Sequence, residues 1–322
     1  MKRGTRPSGA QTLQWVSERG IFFFTAALVA FAALFIDNFV SIVNITDVFH
    51  RAAPIGIVAV GMTFVVISGN YLDLSVVAQV ATAAVVLIAV SNSAGLGLAV
   101  LAALAIALLY GVVNGVAVGY LRANAVIVTL STTFVGLGIL RWLSGGSIFF
   151  GPPDGPIRAL GQVKVVGLPL SALVLVVMTA ALAFLLGRTN FGFLIRSFGS
   201  NRTATRLAGV DTSRVVVGAF LITSLSAMVA GFVLAAFSNT AVSTMAQGFD
   251  FGALAAIIIG GTSVFGGKGS VLRTLLGVIF VSVLTNILVL SKIGFGWQQM
   301  AIGALIVLAV SVDTLARKAA RR

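Results

Sequence analysis

The sequence predicts an all-α polytopic membrane protein with about ten transmembrane helices. Composition is the first reason. Of 322 residues, 59% are hydrophobic and 9% charged, and the mean hydropathy is +1.11. A soluble domain carries roughly a quarter charged residues. The second reason is the length of the apolar runs, such as 174–186, which has almost no break. A membrane β-barrel would alternate apolar and polar residues instead. The third is charge placement: the net charge of +13 gathers at the ends of apolar runs.

Taken in order, the apolar runs place spans at 20–36, 54–69, 74–92, 96–120, 123–143, 167–187, 215–237, 251–266, 271–291 and 295–314. The first run is long enough for a helix, so it is read as a span and not as a removed signal. The even count puts both termini on one side, with Lys2, Arg3, Arg6 and Arg19 at one end and Arg317, Lys318, Arg321 and Arg322 at the other. The loop 188–214, with Arg188, Arg196, Arg202, Arg206 and Arg214, falls on that side too. Of the 21 Lys and Arg, only Arg51, Arg141, Arg158, Lys164 and Lys292 fall on the other side. The positive-inside rule makes the richer side the cytoplasm. The expectation is one transmembrane domain over 1–322, with a long outer loop at 144–166 and both termini cytoplasmic. Five spans on each side of that loop would allow an inverted repeat. Two spans, 54–69 and 251–266, are short and end in glycine-bearing turns, a feature of segments that line a path. The spacing of Gly111, Gly115 and Gly119 lets helix backbones approach closely.

Several chemistries are excluded. The chain has no cysteine, so thiol catalysis and Cys-ligated metals are ruled out. The one histidine, His50, cannot build a metal site unaided. HExxH and Gly-x-Ser-x-Gly are absent. The basic charge sits at span ends, so it points to topology and not to nucleic acid. The stretch GGTSVFGGKGS, 260–270, has the glycines and lysine of a phosphate loop. A Walker A loop would need glycine where Thr262 stands and Ser or Thr where Gly269 stands. It reads instead as a helix-breaking glycine cluster at the membrane face. Asp73 is the acidic residue nearest a membrane-embedded position, and burying it unpaired would cost several kcal/mol. It is expected to cap the next helix through backbone N–H groups, with direct solute contact as the alternative.

Four stretches, in order, carry a resemblance. They are DLSV at 73–76, NGVAVGYLRANAVIVTLSTT from Asn114, TNFGFLIRSFGSNRTATRLAGVDTSRV from Thr189, and GGTSVFGGKGSVLRTLLGVI from Gly260. Together they resemble permease subunits of carbohydrate ABC importers, the ribose-transporter-like branch, over nearly the whole chain. The chain departs from that pattern at Val77, Ala125 and Arg273, and in the turn Gly69-Asn70-Tyr71-Leu72, which is a residue longer.

The resemblance implies an inner-membrane transport subunit with no catalytic residue, cofactor or metal. It implies a cytoplasmic ATPase as partner, a periplasmic or extracellular sugar-binding protein, and a second permease copy, identical or related. The cargo would be a monosaccharide or related polyol. Asp73, Ser75, Gly260, Gly261, Gly266 and Gly267 would form structural motifs. Gly199, Asn201, Ala204, Leu207 and Gly209 would couple to the ATPase, with a short helical turn at 203–207. A neutral sugar needs hydroxyl and amide partners, so Asn114, Asn124, Thr129, Ser131, Thr132, Thr262 and Ser263 are the pathway candidates, with Phe265 as a gate. Each could instead make interhelical hydrogen bonds. The rival readings are an ion-coupled secondary carrier and a passive channel. The first lacks an obvious midplane carboxylate, because all eight acidic residues fall at span ends or in loops.

Overall fold

The computed structural model describes residues 9–69 and 72–320. The basic residues Lys2, Arg3, Arg6, Arg321 and Arg322, and positions 70 and 71 of the lengthened turn, lie outside them. Helices α1 (Gly9–Phe35), α2 (Ile42–Ile67), α3 (Val76–Ala94), α4 (Leu96–Gly119) and α5 (Ala125–Ser144) come first. A segment with β1 (Phe149–Phe150), α6 (Pro156–Gln162), β2 (Lys164–Val165) and β3 (Leu168–Pro169) follows. Then come α7 (Leu170–Arg188), α8 (Asn190–Ser200), α9 (Arg202–Leu207), α10 (Thr212–Ser238), β4 (Thr240–Ala241), α11 (Phe249–Ile259), α12 (Val271–Leu290) and α13 (Phe295–Ala320).

Among the described residues, seven helices are long and apolar enough to cross a membrane: α2, α3, α4, α5, α7, α10 and α12. Shorter apolar stretches lie in α1, α11 and α13. Two of the expected spans are corrected. The run at 54–69 is the second part of a full-length helix of 26 residues. Asn44, Asp47, His50 and Arg51 interrupt its hydropathy, and Pro54 sits inside the helix. Helix α2 carries them in two ways: Asn44 and His50 are buried against other helices, while Asp47 and Arg51 face each other at 3.9 Å on its exposed side. Asn44 and Asn286 of α12 exchange two amide hydrogen bonds, at 3.1 and 2.7 Å. By contrast α11 is shorter than expected, at 11 residues. At 1.5 Å per residue it rises about 16 Å, roughly half of a bilayer core. Its polypeptide then turns through the glycine cluster into α12.

Helix α2 is the centre of the bundle, buried from Gly56 through Ile67. It packs against α7, α10, α11 and α12, and its residues join those of α3 in one apolar core. A second cluster joins the Ile67 end of α2 to Ile195 and Phe198 of α8 and to Phe220 of α10. Near that end, the hydroxyls of Thr63 and Thr274 meet at 2.9 Å across α2 and α12. Helix α10 has its most extensive contact with α4. The expected small-residue stripe makes that approach possible. A Cβ on Gly115 would stand 2.7 Å from the Val217 Cα, and one on Gly111 would stand 2.8 Å from Leu221. Lipid offers little apolar drive for helix association, so such close packing is a main source of cohesion.

The segment between α5 and α7 is more structured than a plain loop. Strand β1 pairs antiparallel with β4, Phe149 opposite Ala241. Strands β2 and β3 form a hairpin, Lys164 opposite Pro169. The outward faces of α4 and α5 remain apolar, as at Leu101, Leu109, Phe134 and Trp142. In water such a surface would be an association site; it suits lipid or another transmembrane chain.

Candidate functional site

Two assemblies lie at the Ile67 end of α2. The first is a buried polar cluster around Asp73. Ser75 stands at the start of α3, and its N–H and hydroxyl both donate to Asp73 Oδ1, the N–H at 3.0 Å. Gln79 Nε2, one turn into α3, donates to Ser75 Oγ at 2.6 Å and lies 3.4 Å from Asp73 Oδ2. Asn114 Nδ2 of α4 donates to the same Ser75 oxygen at 2.8 Å. Thr132 of α5 donates to Asn114 Oδ1 at 3.0 Å. Thr133 reaches the Leu74 carbonyl at 3.0 Å, and Thr129 lies 3.3 Å from that of Leu72.

Asp73 is fully buried, and among the described residues neither ion pair involves it. Its burial is offset by donors alone, as a buried carboxyl requires. The carboxylate accepts one backbone N–H, that of Ser75, just ahead of α3, as expected of it. Ser75 holds the N-cap position in helical backbone geometry, and its side chain makes no cap bond. It turns back to Asp73, so the aspartate fastens the turn that leads into α3.

The second assembly is a joint of three glycine-bearing segments. After α11 the chain turns with positive φ at Gly261, Gly266 and Gly267. The Ser263 N–H donates to the Lys268 carbonyl at 2.9 Å, and the Ser270 N–H lies 3.4 Å from Thr262 Oγ1. The Gly267 N–H donates to the Ile67 carbonyl at 2.9 Å. A Cβ on Gly199 would stand 1.9 Å from that carbonyl oxygen and 2.6 Å from the Gly267 nitrogen. One on Gly266 would stand 2.4 Å from the Gly69 Cα, and one on Gly260 would stand 2.5 Å from the Arg273 carbonyl oxygen. The ends of α2 and α8 and the turn 260–270 therefore touch backbone to backbone. Arg202 adds a clamp: its guanidinium donates to the Gly69 carbonyl and lies over the Phe198 ring, 5.4 Å from the centroid.

Beyond the joint the chain projects outward. The predicted loop 188–214 holds two helices. Thr189 caps α8, accepting from the Gly192 N–H at 3.3 Å, and Gly192, Ile195 and Phe198 form its buried face. Asn201 caps α9, accepting from the Ala204 N–H at 2.9 Å. Gly209, at φ 81°, lets the chain leave α9. In α9 Thr205 is buried, while Ala204 is exposed and Leu207 is 83% exposed.

The pathway candidates do not gather in one place. Asn114, Thr129 and Thr132 meet the Asp73 cluster. Thr262 and Ser263 are buried within the glycine turn, and Phe265 beside them is 46% exposed. Ser131 lies on the exposed face of α5 and bonds its own helix at Ile127. Asn124 is exposed at the start of α5, where it caps the Val126 and Ile127 N–H groups. Sequence reasoning missed Gln79, Thr133 and Arg202. Gln79 had a signal: it is the lone amide in an apolar run, one helical turn from Ser75.

Comparison with known proteins gives concordant matches. A family model described as the permease component of branched-chain amino acid transport systems matches residues 44–310. The chain is 30% identical to the ribose import permease protein of Haemophilus influenzae, over 95% of this chain and 96% of that protein. It is 30% identical to the Escherichia coli ribose import permease, over 94% and 95%. It is also 30% identical to the autoinducer 2 import system permease of Salmonella typhimurium, over 92% and 87%. No solved structure matches.

Proposed function

The chain belongs to the family of branched-chain amino acid transport system permease components, and from that premise we propose the following working assembly. This protein is a permease subunit of an importer. Its cargo is a monosaccharide or related polyol, as the ribose permeases among its relatives suggest. Two copies, or one copy and a related chain, form the path. A separate cytoplasmic ATPase binds at α9, and a sugar-binding protein delivers solute to the opposite face, where α6 and the β2–β3 hairpin lie. The chain crosses the membrane about ten times, counting α1, α13 and α11 together with the turn that continues it, in two halves of five, with α9 and both termini in the cytoplasm.

The joint is the observation that carries this reading. Helix α9 is exposed, yet it hangs from Gly199, which is packed without slack against Ile67 and Gly267. A displacement of α9 by a closing ATPase would be passed to the end of α2, to the Asp73 turn and to the turn 260–270. Tightly packed elements shift as units. The test is affinity purification from gently solubilised native membranes, comparing wild type with Leu207→Arg, a substitution on the exposed face of α9. Recovery of a Walker-containing ATPase with wild type and its loss with the variant is the expected result. Recovery of none, under conditions that preserve a known ABC importer, would leave a self-sufficient carrier or channel as the working reading.

A further inference from the structure

A small cavity lies between α3, α4 and α10, lined by Gln79, Thr82, Ala83, Ala107, Tyr110 and Ser224 among others. Its volume is about 10 Å³, close to the minimum that admits one water molecule. Three of its lining side chains carry buried atoms without a hydrogen-bond partner, Gln79 Oε1, Thr82 Oγ1 and Ser224 Oγ, and the first and last belong to deeply buried residues. Gln79 is 3% exposed and its Oε1 has no hydrogen bond. Ser224 is fully buried and its hydroxyl has none either.

Neither atom is easily satisfied from within the protein. The Gln79 Nε2 is committed to Ser75 and Asp73. Turning the amide over would set its oxygen against a carboxylate, so Oε1 is held away from that cluster. On α10, the neighbouring hydroxyls of Thr223 and Ser226 donate to the carbonyls four residues back, Ala219 and Ile222, at 3.1 and 2.8 Å. Ser224 does not follow them. Buried polar atoms without partners are rare and costly, and the usual remedy is a bound water.

We propose that this cavity holds one structural water. The Ser224 hydroxyl donates to the water oxygen, and the water donates to Gln79 Oε1. Its walls supply too few oxygens, and too little space, for a dehydrated metal cation. The water links α10, the helix that leads out of α9, to α3. Through Gln79 it extends the Asp73 cluster, which already joins α3, α4 and α5, to a fourth helix. This inference does not depend on the nature of the cargo.

The test is a structure of the full chain in lipid nanodiscs at a resolution that shows ordered waters, with thermal denaturation of variants beside it. A density peak within hydrogen-bond distance of both Gln79 Oε1 and Ser224 Oγ is the expected result. The two side chains are not directly bonded, so Ser224→Ala and Gln79→Leu should lower the melting temperature less together than the sum of their separate effects. A direct Gln79–Ser224 hydrogen bond in place of the peak, or fully additive variants, would overturn the proposal. So would a peak whose occupancy follows the choice of sodium, potassium or choline in the buffer, which would assign the site to a cation.

Discussion

Helix α9 exposes every side chain except Thr205, whereas the adjoining Gly199 has no room for a methyl group. The two lie within one short stretch of chain but answer to different physics. In α9, Arg202 and Thr205 apart, a side chain meets solvent or a partner, so substitution changes recognition. At the joint a side chain meets backbone, so substitution changes the fold. A contact surface and a transmission element can thus be adjacent and still be separated by mutation.

The largest effect is expected at the joint. Gly199→Val should displace the Ile67 carbonyl or the Gly267 nitrogen, at a cost of about 1–3 kcal/mol or more from overpacking. Melting of the purified protein in nanodiscs would show it. An unchanged melting temperature would mean the three segments are not in contact. Asp73→Ala comes next. It strands the Ser75 N–H, the Ser75 hydroxyl and part of the Gln79 amide, at about 1–3 kcal/mol for each buried donor left unmade. Asp73→Asn keeps an acceptor and should melt higher than the alanine variant. The reverse order would argue against a carboxylate held by donors.

Asn201→Ala should remove the cap of α9 at a cost of about 1 kcal/mol. Hydrogen exchange should rise across 202–207 and stay unchanged in α2. Faster exchange at Ile67 would show that α9 and the joint unfold together, which blurs the distinction. The smallest stability effect belongs to Leu207→Ser, expected within about 0.5 kcal/mol of wild type. Solute uptake should nonetheless fall sharply in that variant, and normal uptake would deny α9 a contact role.

Hydropathy placed most of this bundle. The runs predicted at 74–92, 96–120, 123–143 and 271–291 match α3, α4, α5 and α12 closely. It failed where burial is by protein and not by lipid. In the first part of α2, Asn44 and His50 are buried against Asn286 and Ser171, while Asp47 and Arg51 pair with each other on the exposed side. It failed too at α8, where one buried face among polar residues reads as loop when only mean hydropathy is followed. The local parts of the site were legible: the turn glycines, and the Asp73–Ser75 pair. The meetings of Gly69 with Gly199 and Gly266, and of Asn114 with Ser75, were not. Such contacts are set by helix packing between distant segments, and neither spacing nor composition encodes them.

The central claim is that α9 is the surface through which a partner ATPase moves the joint. The chain has no cysteine of its own, so Leu207→Cys introduces a unique thiol. Thiol-directed crosslinking from that position in native membranes tests the claim most directly. The account predicts a crosslinked product containing a Walker-bearing ATPase. A product with a protein of the opposite membrane face, or labelling of Cys-bearing protein in intact cells by a membrane-impermeant maleimide, would contradict it.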